Sequence, residues 1–286
     1  MAALLLDTNS LFYRAHYALP PMNTRAGEHT SALYGLSALL VKLLREERPD
    51  GVAFARDLPR PTFRHERYTE YKANRPPMPD ALRSQWGRLD QLIAAFGVPS
   101  LAVEGFEADD VLATAARRIA SAGSDVKIVS GDRDLFQTIG PRVRVVFVGA
   151  RTQKPETLDV AAIEARYGVL PERLPTVFAL VGESSDNLIG VRGVGMRTAQ
   201  KLVAKYETAT RLIAELDTVT PLKIKDALAE ARARVLMNEE LARLRVDLEL
   251  AEPVVGAVTT DALKNVRALF EVLEFESLTA RLDALA

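Results

Sequence analysis

The residues of this chain that could do chemistry are acids, and they recur where an α/β chain would gather them. The stretch "GFEADDVLATAARR" (105–118) puts Glu107, Asp109 and Asp110 within four positions at the start of an apolar helical pattern. Asp7 closes the run "ALLLD", Asp57 closes "GVAFARD", and Asp132 and Asp134 stand in "SGDRDL" directly after "DVKIVS". On a helix, Glu107 and Asp110 share a face while Asp109 turns about 100° from Asp110. In an extended segment Asp132 and Asp134 point to one side. Singly, each acid is an ordinary cap or turn residue. Together they repel, and a helix dipole offsets only some tenths to about 1 kcal/mol per acid. Hard oxygen donors with no His or Cys nearby suit Mg²⁺ or Mn²⁺, and two such ions about 4 Å apart are a recurrent arrangement for cutting phosphodiesters.

Such a cluster needs elements that bring distant acids to one edge. Residues 3–7, 51–57, 99–105, 125–132 and 143–148 are strand candidates, alternating with longer helical patterns, so the fold expected is α/β with a mostly parallel sheet. Leu33, Leu36, Leu40 and Leu43 mark one helical face, and Leu82, Trp86, Leu89, Ile93 and Phe96 another, with Trp86 as a core residue. Parallel strands end at a common edge, where open sheets bind ligands. The segment "LPRPTFRHERYTEYKANRPPMPD" (58–80) is a long excursion of the kind reserved for function. From about 158 the strands are expected to give way to helices, dividing the chain into a domain over 1–168 that carries the acids and a helical region over 169–286. The final thirty residues are apolar-periodic and are expected to pack back on the body.

Composition bounds these readings. With 48 % apolar and 26 % charged residues the 286-residue chain is ordinary globular protein in one large or two integrated domains. The absence of cysteine removes disulfides and thiolate sites, and three scattered histidines argue against zinc. No leader or membrane-spanning run is evident, so a cytoplasmic, nucleoid-associated monomer is expected. The formal charge of −1 becomes +6 when the seven acids are set aside, which describes an acidic pocket in a basic surface suited to polyanions.

Two further stretches fit nucleic acid. In "GVRGVGMRTAQKLVAKY" (190–206), Gly190, Gly193 and Gly195 precede a helix bearing Arg197, Lys201 and Lys205. Glycines let backbone N–H groups approach phosphate, and the following helix N-terminus favours an anion. This is similar to a helix-hairpin-helix element, which grips duplex DNA by its backbone. A dinucleotide-binding loop fits less well, because no strand precedes it and the third glycine is missing. In "YKANR", Tyr71, Lys72 and Arg75 set an aromatic face beside two cations, with Arg64 and Arg67 near, a combination suited to an unpaired base and its phosphates.

The ordered set "LLLDTNSLFYRA", "PTFRHERYTEYKANRPPMP", "GFEADDVLA", "SGDRDLFQ", "GESSDNLIGVRGVGMRTAQKL" and "LEFESL" resembles the 5′ nuclease family (5′–3′ exonucleases and flap endonucleases), most closely the branch found at the N-terminus of bacterial DNA polymerase I. The chain ends where that domain would end, so a stand-alone protein is expected. The resemblance implies a PIN-like sheet flanked by helices, a helical arch over about 58–80 and a helix-three-turn-helix in the C-terminal region. It implies that Asp7, Asp57, Glu107, Asp109, Asp110, Asp132, Asp134, Glu183 and Asp186 hold two Mg²⁺ or Mn²⁺ ions, the earlier acids serving mainly the first. Lys72, Arg75 and Tyr71 would act on the scissile phosphate and the threaded strand. Arg14, Arg64, Gly190, Gly193, Gly195, Arg197, Thr198 and Lys201 would contact DNA, with K⁺ on the hairpin carbonyls. Its implied reaction is hydrolysis at 5′ flaps, 5′ ends or RNA primers in replication and repair, leaving a 5′-phosphate, with polymerase and ligase acting in trans.

Two departures stand out. Glu183 occupies a position that is Asp in the family's G-D-x-S-D-N, which moves the carboxylate by more than about 1 Å. Arg56 precedes Asp57 where the family has an apolar residue, and either neutralises the site or points away. The alternative function is a junction-binding protein of the same fold with an impaired second metal site. A compact ribonuclease gives no reason for the 58–80 excursion. An aspartyl-phosphate phosphatase would need a second Asp two positions after Asp7, where Asn9 stands.

Overall fold

A computed structural model describes residues 2–59, 61–149 and 154–285. Its sheet has six strands in the order β3-β2-β1-β4-β5-β6: β1 Ala2–Asp7, β2 Gly51–Ala55, β3 Ser100–Leu101, β4 Asp125–Ser130, β5 Val143–Phe147 and β6 Glu156–Leu158. All neighbours pair in parallel except β6, which is antiparallel to β5. Between these strands run α1 Thr8–Ala18, α2 Ser31–Glu47, α3 Phe63–Arg67, α4 Asp80–Arg83, α5 Trp86–Phe96 and α6 Ala108–Ser121. After β6 come α7 Val160–Tyr167 and α8 Leu174–Val181, a hairpin of β7 Gly182–Glu183 and β8 Leu188–Ile189, and α9 Met196–Tyr206. Helices α10 Ala209–Ala214, α11 Leu222–Glu230, α12 Arg232–Ala242, α13 Thr260–Val272 and α14 Glu276–Asp283 complete the chain.

Both faces of the sheet are covered, which is why its central strands are continuous apolar runs. Along β1, Ala3 and Leu5 enter the core beneath α6 and α8, while Leu4 and Leu6 enter the core formed with α1, α2 and α5. The expected helical faces of Leu33, Leu36, Leu40 and Leu43 and of Leu82, Leu89, Ile93 and Phe96 are buried in that second core. Trp86 is only half-buried there and meets Phe12 edge-on at 5.7 Å. The last thirty residues do return: Val266, Phe270, Leu278 and Leu282 are buried against α5 and α2.

Three features differ from the sequence reading. The third strand has only two residues, because the chain leaves the sheet after Leu101 to start the turn before α6. Strands do not stop at 158: the β7–β8 hairpin follows, made possible where Gly182 and Gly190 approach closely, and a Cβ on Gly190 would lie 2.1 Å from the Val181 carbonyl oxygen. The excursion is no continuous helical arch. Its described residues hold one short helix, α3, then turns through 69–74 and an extended Pro-rich stretch, since Pro61, Pro76, Pro77 and Pro79 each deny the backbone a helical donor.

Candidate active site

Strand order reverses direction between β1 and β4, and a crevice opens there beyond their C-terminal ends, as open α/β sheets dictate. Asp7, the last residue of β1, accepts the Ser10 N–H at 3.1 Å as the cap of α1 and also accepts the Ser130 hydroxyl. Ser130 ends β4, and its hydroxyl oxygen takes the Asp132 N–H at 2.9 Å; Asp132 in turn accepts the Asp134 N–H at 3.0 Å. Glu107 caps α6, and Asp57 accepts the Ala108 N–H at 2.8 Å. A cavity of about 780 Å³ therefore has Asp7, Asp57, Glu107, Asp109 and Asp132 on its walls, with Arg14, Lys72 and Arg75 facing them.

The electrostatics are those of crowded, desolvated anions. Burial pushes the Asp7 carboxyl up to about 7, with Asp132 and Asp57 adding repulsion against the hydrogen bonds from Ser130 and Ser10. Burial likewise raises Asp109, with repulsion from Asp132 and Asp7, and Asp134, with repulsion from Asp132 and Asp186. Burial acts on Glu107 in the same sense, but the Lys72 ammonium and Arg64 guanidinium outweigh it and hold its carboxyl below the usual range. Among the described residues no three acids meet as a ready-made ligand set. Cations from the excursion hold some of them instead: Lys72 Nζ donates to Glu107 at 2.7 Å and Arg75 Nη2 to Asp186 at 2.9 Å. The set still fits a divalent cation: its donors are all hard oxygen, and burial without compensating positive charge raises Asp7, Asp109 and Asp134 together.

Several expected site residues stand elsewhere. Asp110 is fully buried off the cavity, with both oxygens taken by the Arg64 guanidinium at 2.6 and 2.9 Å and further engaged by the N–H groups of Glu107 and Arg245. Arg64, only 1 % exposed, is thereby withdrawn from any contact with DNA. Tyr71 offers no aromatic face to a base; it is buried, and its hydroxyl bridges Asp186 at 3.0 Å and Glu107 at 3.2 Å. Each residue type was visible in the sequence, but the pairing of Arg64 with Asp110 and of Tyr71 with Asp186 and Glu107 was not. Arg56 points away from the site to Asp90 at 2.6 Å. Glu183 bends back to the Ser185 hydroxyl at 3.0 Å and lies 3.7 Å from Arg133, apart from the main cavity but close enough to Asp134 to repel it. Arg14 half-fills the wall beside Asp132, donating to the Gly131 carbonyl and lying over the Phe147 ring.

The excursion is fastened to the Glu183–Asp186 turn by contacts that the sequence did not disclose. The Lys72 N–H donates to the Asp186 carbonyl, Asn74 to that of Ser184, and Asn187 Nδ2 to that of Glu70. Beyond β8, Gly193 and Gly195 are exposed with open space where a Cβ would stand, and Gly193 has φ +80°. Arg197 and Lys201 are exposed on α9 and Thr198 is half-buried in its first turn. Arg192, between Gly190 and Gly193, is exposed too, and its place between the glycines was the available signal. Gly190 is not part of that open surface; it serves the close approach to Val181.

Two family models cover most of the chain: the 5′–3′ exonuclease N-terminal resolvase-like domain over residues 2–168 and the 5′–3′ exonuclease C-terminal SAM fold over 169–263. DNA polymerase I of Mycobacterium tuberculosis is 40 % identical over 293 residues, covering 99 % of this chain and 32 % of that protein. DNA polymerase I of Bacillus caldotenax is 36 % identical over 283 residues, covering 98 % and 32 %. The chain thus spans about a third of the length of these relatives. Among solved structures, T5 5′-exonuclease with bound zinc superposes with a TM-score of 0.70 at 17 % identity over 100 % of both chains. The catalytic core of Rad2 with DNA substrate does so with a TM-score of 0.64 at 17 % identity, over 99 % of this chain and 92 % of that one. Matched along both halves, with its acids at the edge where the sheet reverses, the chain belongs to the 5′–3′ exonuclease family.

Proposed function

We propose that this chain is a divalent-metal-dependent, structure-specific 5′ nuclease that cuts DNA near 5′ ends or flaps. The observation that carries this reading is the cavity beyond β1 and β4, where five acids from four separate chain segments face Lys72 and Arg75. Two Mg²⁺ ions, one toward Asp7, Asp57, Glu107, Asp109 and Asp132 and one toward Asp134, Glu183 and Asp186, would supply Lewis acidity to the attacking and leaving oxygens. Water adds to phosphorus as the bond to the 3′ oxygen breaks, giving a 5′-phosphate and a 3′-hydroxyl. Lys72 and Arg75 exchange their carboxylates for phosphate oxygens and stabilise charge there. Gly193, Gly195, Arg192, Arg197 and Lys201 hold the adjoining duplex by its backbone, a grip to which K⁺ would add positive charge toward the phosphates.

The named neighbours agree in kind: T5 5′-exonuclease is a structure with zinc bound, and the Rad2 core is one with DNA substrate. The test is cleavage of a labelled 5′-flap duplex across a Mg²⁺ titration, beside a blunt duplex and a single strand. Cutting near the flap junction at low millimolar Mg²⁺, abolished in Asp132→Asn, is expected. Binding of the flap with no product at any Mg²⁺ concentration would instead establish a junction-binding protein.

A further inference from the structure

Among the described residues, the most completely buried arginine is not one that meets solvent or substrate. Arg64 lies in α3 at the root of the excursion, with a side chain 2 % exposed. Its two terminal nitrogens fork onto Asp110 at 2.6 and 2.9 Å, and its Nε donates to the Leu241 carbonyl at 2.8 Å. Asp110 uses the same two oxygens to accept the Glu107 N–H at 3.1 Å and the Arg245 N–H at 2.9 Å. One ion pair therefore ties four pieces of chain: the root of the excursion, the N-terminus of α6, the end of α12 and the segment that follows it. The Phe63 ring is held between the guanidinium groups of Arg64 and Arg245, at 4.5 and 4.8 Å. Arg64 Nη1 also stands 3.3 Å from Glu107, whose other oxygen takes Lys72.

We infer that Arg64 and Asp110 are a positioning pair for cleavage: neither touches metal or phosphate, and together they fix Glu107 and the backbone from which Lys72 and Arg75 project. The inference rests on the nuclease reading above. A bidentate guanidinium saturates a carboxylate with defined direction, which a lysine or a solvent-exposed acid would not do. Buried pairs of this kind set geometry more than they add stability, and a well-packed apolar pair can replace them without loss of the fold. Partners in such an outer layer of a metal site characteristically change affinity or rate by about 10–100-fold when removed.

The experiment uses Arg64→Met combined with Asp110→Leu, beside Asp110→Leu alone and Asp132→Asn. Melting temperature, Mn²⁺ affinity of the free protein by calorimetry, and single-turnover flap cleavage at saturating Mn²⁺ are measured on each. Asp110→Leu alone should melt well below the parent, because it strands a buried guanidinium. The double variant should melt near the parent and bind Mn²⁺ within about threefold of it, yet cleave about 10–100-fold more slowly. If it binds Mn²⁺ as weakly as Asp132→Asn, Asp110 is a metal ligand and the inference is wrong. A parental cleavage rate would leave the pair a merely structural role and overturn it equally. Should the double variant not fold, Arg64→Lys keeps the charge and loses the fork and the Leu241 bond; its rate must fall with Mn²⁺ affinity preserved, and an unchanged rate rejects the pair. A parent protein that binds Mn²⁺ and cuts no flap refutes the nuclease reading itself, which is distinguishable from all of these.

Discussion

At the scale of single residues, Lys72 is the clearest case of a group waiting for a better partner. It is half-buried between Glu107 and the Tyr71 ring, and although burial lowers its tendency to hold a proton, the charges of Glu107 and Asp186 more than restore it. An ammonium kept charged against its desolvation is available to a phosphate. Lys72→Met retains the apolar stem and removes the charge, so the single-turnover cleavage rate should fall by at least about 100-fold. Affinity for flap DNA, measured by anisotropy with Ca²⁺ in place of Mg²⁺, should change by less than about threefold, since backbone grip resides elsewhere. Parental cleavage by this variant would take Lys72 out of the chemistry. Glu183 makes a second test at this scale. Its carboxylate is drawn to Ser185 and Arg133, and Glu183→Asp shortens the reach that permits those contacts. The Mg²⁺ concentration for half-maximal cleavage should fall in that variant; a rise would mean that this chain has rebuilt its second ion site around the longer acid.

At the scale of elements, glycines that look alike in sequence separate into two kinds. A Cβ on Gly190 would stand 2.1 Å from the Val181 carbonyl and 2.7 Å from the Gly182 nitrogen, both backbone atoms that cannot yield without opening the β7–β8 hairpin. Gly193 has open space and only its φ of +80° against it. Gly190→Ala should therefore lower the melting temperature by many degrees, whereas Gly193→Ala costs about 1 kcal/mol of backbone strain and mainly weakens duplex binding. Equal melting temperatures for the two would contradict the division. Lys201→Ala, on the exposed face of α9, should weaken duplex binding and reduce the slope of log affinity against log salt by about one. The elements also explain what was legible. Central strands showed because burial on both faces demands continuous apolar runs, and their terminal acids showed because strand ends carry the site. β6 and the β7–β8 hairpin did not, because each strand is only two or three residues long, too short to show an alternation. The capture of Asp110 by Arg64 was hidden for a different reason, the two being 46 positions apart. Gln85 is another such case: fully buried in the turn between α4 and α5, it accepts the N–H groups of Ala32 and Leu33 at 3.0 and 3.2 Å and so caps α2 from a distant segment.

At the scale of the whole molecule, the acid cluster makes stability depend jointly on pH and divalent metal. Folding raises the Asp7 carboxyl from 3.8 to about 7, and raises those of Asp109 and Asp134 as well. Between those limits the folded protein keeps protons that the unfolded chain has released. The protonated cluster is tolerated at about pH 4, and stability declines as pH rises toward 7, at about 1.4 kcal/mol per pH unit for each proton retained. A divalent ion reverses the sign of the problem, because it binds the ionised folded cluster and not the dispersed acids of the unfolded chain. At a hundred times its dissociation constant it contributes about 2.7 kcal/mol, which for a chain of this size raises the melting temperature by about 4–5 °C. In EDTA the melting temperature should therefore fall between pH 5 and pH 7.5. Mg²⁺ at about 100 times its dissociation constant should recover it at pH 7.5 and do little at pH 5, where protons already neutralise the acids. Asp7→Asn should flatten the EDTA profile by removing one of the retained protons. A melting temperature that rises with pH in EDTA, or that ignores Mg²⁺ at pH 7.5, would show that the carboxylates beyond β1 and β4 do not act as one charged site.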